Sequence, residues 1–358
     1  MITAELRQAI AAAAGLDADP RLRPGPAPGS YASSLPFRLP PEAAQDLARR
    51  LAAESWIAHA DITAPGYLTV TVTHDALATL AVRIVRAGPA CAASDALRRR
   101  TVPASPPPDL PAQPSWPAAR AALAVHLTAR LAATAGASVS FYPERAGVPL
   151  PGIPPSSPAE RSLATSAPMP HPLPAPGRGR AGSPQVPAER ASVAPSGPVA
   201  EAIRYAGADH ARFALARMPP GGPAPEAAAI ARHVLANPAY AVRYAHAAAA
   251  AVLRWAAALG TTPAGFRPRQ LAEPGELALL DALAWLPEQV AVAARRGRPD
   301  EFAGYLEELA GRTLDTMDTT GFTAISTISS ERLWLADAAR TGLATGLGLL
   351  GVSAPDRL

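Results

Sequence analysis

The residues of this sequence best suited to recognition chemistry are Tyr240 and Tyr244, four apart in a stretch with helical periodicity. That spacing places both rings on one face of a helix. Such a pair can stack on unpaired nucleobases, because every base offers a π-face to an aromatic ring. It can equally pack inside a helical bundle with its hydroxyls bonded to backbone. Chemistry alone leaves both readings open. Covalent chemistry is harder to find. All 33 basic residues are arginine. The absence of lysine removes Schiff-base catalysis, the GxxxxGK[ST] phosphate loop and the kinase strand lysine. No HExxH, no GxSxG and no GxGxxG after a strand is present. The histidines, at positions 59, 74, 126, 171, 210, 233 and 246, are scattered, and Cys91 is alone. Neither a metal site, nor a cofactor, nor a disulfide framework is expected.

The elements that must position these side chains follow from periodicity and punctuation. Asn237 as N-cap, Pro238 at the first helical position and Gly260 after the end predict a helix over Pro238–Leu259. Further helices fit Glu276–Arg296, Asp300–Asp318 and Glu331–Leu350, so 199–358 reads as an all-α bundle. At the other end, Ile2, Leu6 and Ile10 recur at helical spacing. A Pro/Gly loop (Asp19–Ser30) follows, then a helix (Pro41–Glu54), strands at Trp56–Thr63 and Tyr67–Thr73 around Pro65-Gly66, and a helix near Thr79–Arg86. Residues 1–88 thus read as a small α+β domain. Residues 89–117 read as loop. Ala118–Ala135 and Ser138–Tyr142 read as a lone helix–strand pair within 118–146, too small for its own core.

Proline and glycine supply 68 of 358 residues, and fourteen prolines fall between Pro149 and Pro198. The stretch 147–198 is therefore expected to be a disordered linker joining the α+β domain to the bundle. No run of eighteen apolar residues occurs, and Glu5, Arg7 and Gln8 occupy the place of a signal-peptide core. A cytoplasmic protein without membrane association is the simple expectation. The net charge of +4 divides as +2 over 1–100, +3 over 101–204 and −1 over 205–358. The bundle has no basic excess of the kind a nucleic-acid footprint ordinarily shows. The densest basic cluster, Arg98–Arg100, reads as a solvated face.

Longer stretches carry a family likeness. Gly207-Ala208-Asp209-His210-Ala211-Arg212-Phe213-Ala214-Leu215 resembles the "GADALR-F-L" entry to the anticodon-binding domain of arginyl-tRNA synthetases. Asn237-Pro238-Ala239-Tyr240-Ala241-Val242-Arg243-Tyr244-Ala245-His246-Ala247 resembles that family's "NPxYYVQYAHAR" helix, and Gly348–Leu358 resembles its "LLGI-APERM" ending. More weakly, Gly29–Ser34 and Pro65–Leu68 resemble "GDYATN" and "GPGFIN" of the synthetase N-terminal domain. The large class I catalytic domain that the family carries between these ends is missing. HxGH occurs nowhere, and the lysine-containing KMSKS-type motif is absent by composition. Residues 118–142 resemble a remnant of the helix and strand that follow the first motif, with the preceding strand replaced by Pro-rich loop.

The resemblance implies a DALR-type anticodon-binding bundle and a non-catalytic paralogue, a pseudoenzyme, acting as a tRNA-binding accessory or regulatory protein. Arginine tRNA is the implied partner, and a synthetase a further one. Its candidate RNA contacts are Asn237, Tyr240, Arg243, Tyr244, His246, Asp356 and Arg357, with Tyr31 and Tyr67 at the tRNA corner. Ala241, Arg243 and Ala248 stand where the family usually has Tyr, Gln and Arg. Those changes keep two alternatives open: a protein-interaction scaffold that has lost RNA binding, and a subunit completed in trans by a separate synthetase core.

Overall fold

The computed structural model of the protein describes residues 1–15, 19–141, 197–319 and 329–358. The N-terminal region opens with α1 (Ile2–Ala14), whose Ile2, Leu6 and Ile10 are all fully buried and whose end is set by Gly15 at φ 61°. A four-stranded antiparallel sheet follows in the order β1-β2-β4-β3, built from β1 (Leu22–Pro24), β2 (Ser30–Ser33), β3 (Ile57–Thr63) and β4 (Tyr67–Val72). Two helices complete it, α2 (Pro41–Ala52) and α3 (His74–Ala87). In β4, Leu68, Val70 and Val72 are buried, as their alternation with threonine requires. The expected loop over Asp19–Ser30 contains β1, which pairs Leu22 with Ser33. Proline hid it from pattern reading, yet Pro24 is tolerated because β1 is an edge strand.

The loop expected at 89–117 also contains a strand. Here β5 (Thr101–Ala104) pairs in parallel with β6 (Ser138–Phe141), and α4 (Trp116–Thr134) connects them. The strand expected to be lost before this helix is therefore present. Arg100 O accepts from Ser138 N at 2.9 Å. Side alternation then turns the nitrogen of Pro103 away from β6, where its missing donor costs nothing. Ser115 caps α4, and Leu123, Leu127 and Leu131 are fully buried. The helix–strand pair thus docks, packing against the C-terminal helices as its size demanded.

The C-terminal region is all helical: α5 (Pro198–Ala206), α6 (Ala208–Arg217), α7 (Ala227–Ile230), α8 (Pro238–Ala258), α9 (Pro274–Ala284), α10 (Leu286–Arg296), α11 (Pro299–Thr319) and α12 (Ser330–Leu350). The single helix expected over Glu276–Arg296 is two, bent by 41°. Pro287 explains the break, since proline donates no hydrogen bond and clashes with the preceding turn. Among the described residues no single helix is long and apolar enough to cross a membrane.

An α/β N-terminal region and a helical C-terminal region are thus both present, but they are not held apart. One buried cluster runs from Ile2, Tyr31 and Leu68 through Leu127 to Trp285, Phe302 and Leu343. Polar bonds cross the same junction: Thr3 Oγ1 donates to Ala284 O at 2.8 Å, Gly29 N to Asp281 Oδ1 at 2.9 Å, and Arg7 pairs with the buried Glu288. Both ends of the chain therefore form one compact unit, which corrects the expectation of two bodies on a tether. The proline-rich stretch 147–198 lies outside the described residues except for its last two positions.

Candidate nucleic-acid interface

Helix α8 has two working faces. Val242, Ala245, Ala249, Val252 and Ala256 are buried against α12 and α11. The neighbouring stripe, Tyr240, Tyr244, Ala248, Ala251 and Trp255, lines an open groove of about 1120 Å³ between α8, α11 and the C-terminal tail. Both stripes advance in steps of three and four, as one helix face must. Alanine supplies much of each: it favours the helix and lets α12 and α11 approach closely.

The groove begins at a column of rings. His210 and His233 stack at 5.8 Å, His233 and Tyr240 at 5.4 Å, and Tyr240 and Tyr244 at 5.7 Å, with interplanar angles of 22°, 11° and 17°. His210 is buried at the base, where Nδ1–H donates to Ala206 O at 2.9 Å and Nε2 has no partner. Burial, above all, lowers its pKa below the usual histidine value. Tyr244 ends the column at 38% exposure, and Trp255 lies further along the stripe at 54%. Rings held half in water at the mouth of a groove have the geometry to stack on a planar ligand.

The other predicted contacts fall into different places. Asn237 is buried and fully used: its Oδ1 accepts from Ala239 N at 3.2 Å, and its Nδ2 donates to Ile230 O and Arg232 O at 2.8 and 2.7 Å. It holds the start of α8 and the turn carrying His233, and presents nothing to a ligand. His246 is 1% exposed, and its Nδ1–H donates to Pro355 O at 3.0 Å. Burial holds its pKa low. Arg243 lies against Asp209 at 3.5 Å and donates to Ser353 Oγ at 3.3 Å. Asp209 in turn accepts from the Ser353 backbone and hydroxyl. Arg254 donates to Asp356 O at 2.7 Å. Arg243, His246 and Arg254 therefore pin the tail along α8, and this anchoring brings Asp356 and Arg357 to the groove wall.

Tyr31 corrects the expectation of a tRNA-corner contact. It is 0% exposed, tilted against Trp285 with centroids 5.5 Å apart, in the core shared by sheet and bundle. Burial, and secondarily Asp281, raises its phenol well above the ordinary range. Tyr67 stays near the surface, edge-on to the exposed Phe37 at 5.0 Å. It is remote in kind from the α8 groove, lying on the β3–β4 hairpin.

The groove is not a basic channel. Arg217, Arg254 and Arg357 line it together with Glu307, Asp315, Asp318 and Asp356, and Arg217 is paired with Glu307. Sequence reasoning missed His233 and Trp255. Trp255 was reachable, standing eleven residues beyond Tyr244 on the same stripe. His233 was not, because it sits in an irregular turn before the cap. Among the described residues no group of three or more His, Cys, Asp or Glu is placed to hold a metal.

Residues 242–358 match the model of the DALR anticodon binding domain family. Part of the chain is similar to the arginine–tRNA ligases. The arginine–tRNA ligase of Renibacterium salmoninarum is 40% identical over 162 residues, 44% of this chain and 30% of that protein. That of Kineococcus radiotolerans is 46% identical over 128 residues, 34% of this chain and 23% of that protein. The chain thus spans about a quarter to a third of the length of these curated relatives. The Thermus thermophilus arginyl-tRNA synthetase structure aligns over 100% of both chains at a TM-score of 0.59 and 17% identity, a likeness of fold. The DALR match begins at Val242, inside α8. It takes in Tyr244, Ala248, Ala251 and Trp255 of the α8 stripe and the tail, while His210, His233 and Tyr240 precede it.

Proposed function

We propose that this chain is a non-catalytic, tRNA-binding accessory or regulatory protein that engages an anticodon loop in the α8 groove. The observation that carries the reading is the column His233–Tyr240–Tyr244 opening into that groove within a DALR-related bundle. Unpaired loop bases are what such platforms accept. Arginine tRNA is the substrate class suggested by the ligases to which the chain is similar. The non-catalytic part of the proposal rests on the sequence: no HxGH is present, and without lysine there is no KMSKS-type motif. Two experiments test it together. Nuclease footprinting of arginine tRNA should show protection confined to the anticodon arm. Arginine-dependent exchange of pyrophosphate into ATP should stay at background. Exchange above background overturns the non-catalytic part, and unprotected anticodon nucleotides overturn the site.

A second reading has its own observation. The groove carries four carboxylates against three arginines, and Leu235, Trp255 and Leu259 are more than half exposed. An apolar stripe beside acidic residues also suits a protein partner, such as a synthetase.

A further inference from the structure

Arg130 of α4 and Arg212 of α6 are half-buried and converge beside Gly351, at the end of α12. A Cβ at Gly351 would lie 3.1 Å from Arg212 Nη1 and 3.3 Å from Arg130 Nη1, so both guanidinium groups border one small space that the glycine leaves open. Arg130 Nη2 donates to Gly348 O at 2.8 Å. Among the described residues the Arg212 guanidinium has no hydrogen-bond partner, and neither arginine pairs with a carboxylate. Arg83, Arg120, Arg243, Arg295, Arg332 and Arg340 are half-buried as well, and each has a carboxylate partner. The end of α12 answers only part of the charge, since a helix C-terminus carries about half a negative charge against two full positive ones. Burial, and then the charge of Arg212, lowers the Arg130 pKa from its usual value, as expected of a cation short of a counter-ion. Planar guanidinium forks match the oxygens of a phosphate.

We propose that Arg130 and Arg212 form a binding site for a phosphate group, which supplies the missing negative charge and accepts hydrogen bonds from both guanidinium forks. The site is separate from the α8 groove, because neither arginine lines that groove. The tail connects the two. From Gly351 the chain passes Ser353, held by Arg243, and Pro355, held by His246, to Asp356 and Arg357 at the groove wall. That stretch of chain spans at most about 18 Å, so the backbone of an RNA whose loop lies in the groove can reach the pair. A free phosphate or a phosphomonoester presents the same oxygens. The site stands without the tRNA-binding reading, and only an RNA source depends on it.

The test uses the full chain. Inorganic phosphate is titrated and followed by phosphorus NMR at constant ionic strength. The wild-type chain is expected to bind it saturably, and Arg212→Gln to weaken that binding about tenfold, the loss of one charge-assisted contact. A melting curve in phosphate-free buffer checks that the variant folds, and Arg212→Lys, which keeps the charge but not the fork, should bind with intermediate strength. Affinity for tRNA over a salt series then distinguishes the source. If RNA supplies the phosphate, the slope of log K against log salt becomes less steep by about one in Arg212→Gln, and inorganic phosphate competes with tRNA. An unchanged slope, or no tRNA binding, together with the weakened phosphate binding assigns the site to a free phosphate or phosphomonoester. No saturable phosphate binding by the wild-type chain, or equal binding by Arg212→Gln, overturns the site.

Discussion

Tyr240 and Tyr31 are both tyrosines flanked by small residues, and the fold gives them opposite fates. Tyr240 joins a ring column that reaches solvent, whereas Tyr31 is sealed against Trp285. Tyr244→Ala and Trp255→Ala should each weaken tRNA binding by about tenfold, within the 1–3 kcal/mol that one stacked base contributes. Their melting temperatures should stay close to that of the wild-type chain. Tyr31→Ala should instead cost roughly 3–5 kcal/mol of stability, with tRNA affinity lost only in proportion to the unfolded fraction. Calorimetry beside a binding titration separates the two classes. The stacking pair was legible because i, i+4 spacing on a helix with a strong cap predicts a shared face without knowledge of tertiary structure. The burial of Tyr31 was not. It sits in a four-residue strand, and which face of so short a strand is covered depends on the bundle packing there from far along the chain.

At the scale of elements, α12 approaches its neighbours through glycine. A Cβ at Gly346 would lie 2.3 Å from Leu306 Cδ2, and one at Gly342 would lie 2.8 Å from Leu283 Cδ2. Gly346→Ala should therefore destabilise the bundle by about 1–3 kcal/mol through overpacking, although alanine is the better helix former; chemical denaturation measures it. The tail is a second element with a definite anchor. Asp209→Ala removes the acceptor for Ser353 and the partner of Arg243, and should speed amide exchange over 352–358 with little change in global melting. Capped, periodic helices such as α8 and α12 were readable from sequence to within a residue or so. Strands β1 and β5 were not, because each carries a proline that an edge strand tolerates. The break at Pro287 was a misjudged signal. Apolar periodicity continues across it and masks the missing donor in a pattern reading.

At the scale of the whole molecule, the shared core predicts cooperative unfolding of the N-terminal and helical regions. A chain lacking residues 1–88 would expose Trp285 and leave Glu288 without Arg7, so the remaining bundle should melt lower and less sharply than in the intact protein. Two independent transitions in the full chain would instead favour tethered bodies. Acid should weaken the fold. His210 and His246 are held neutral by burial, with pKa values below the ordinary 6.5. The unfolded chain therefore takes up protons first as pH falls through about 6.5, and stability, fully present above that pH, declines below it. His246→Gln should flatten the fall in melting temperature between pH 7.5 and 5.5. The sequence could not announce the shared core, because the contacts that make it join residues as distant as Thr3 and Ala284.

On the function proposed, this molecule binds tRNA through a groove short of positive charge. The most direct measurement is the affinity of the purified chain for total tRNA and for arginine tRNA transcripts across a salt series. Micromolar or tighter binding at low salt, preference for the arginine isoacceptors and a negative but shallow salt slope are expected. Absence of binding at low salt, where phosphate contacts are strongest, would contradict it and turn attention to a protein partner for the same groove.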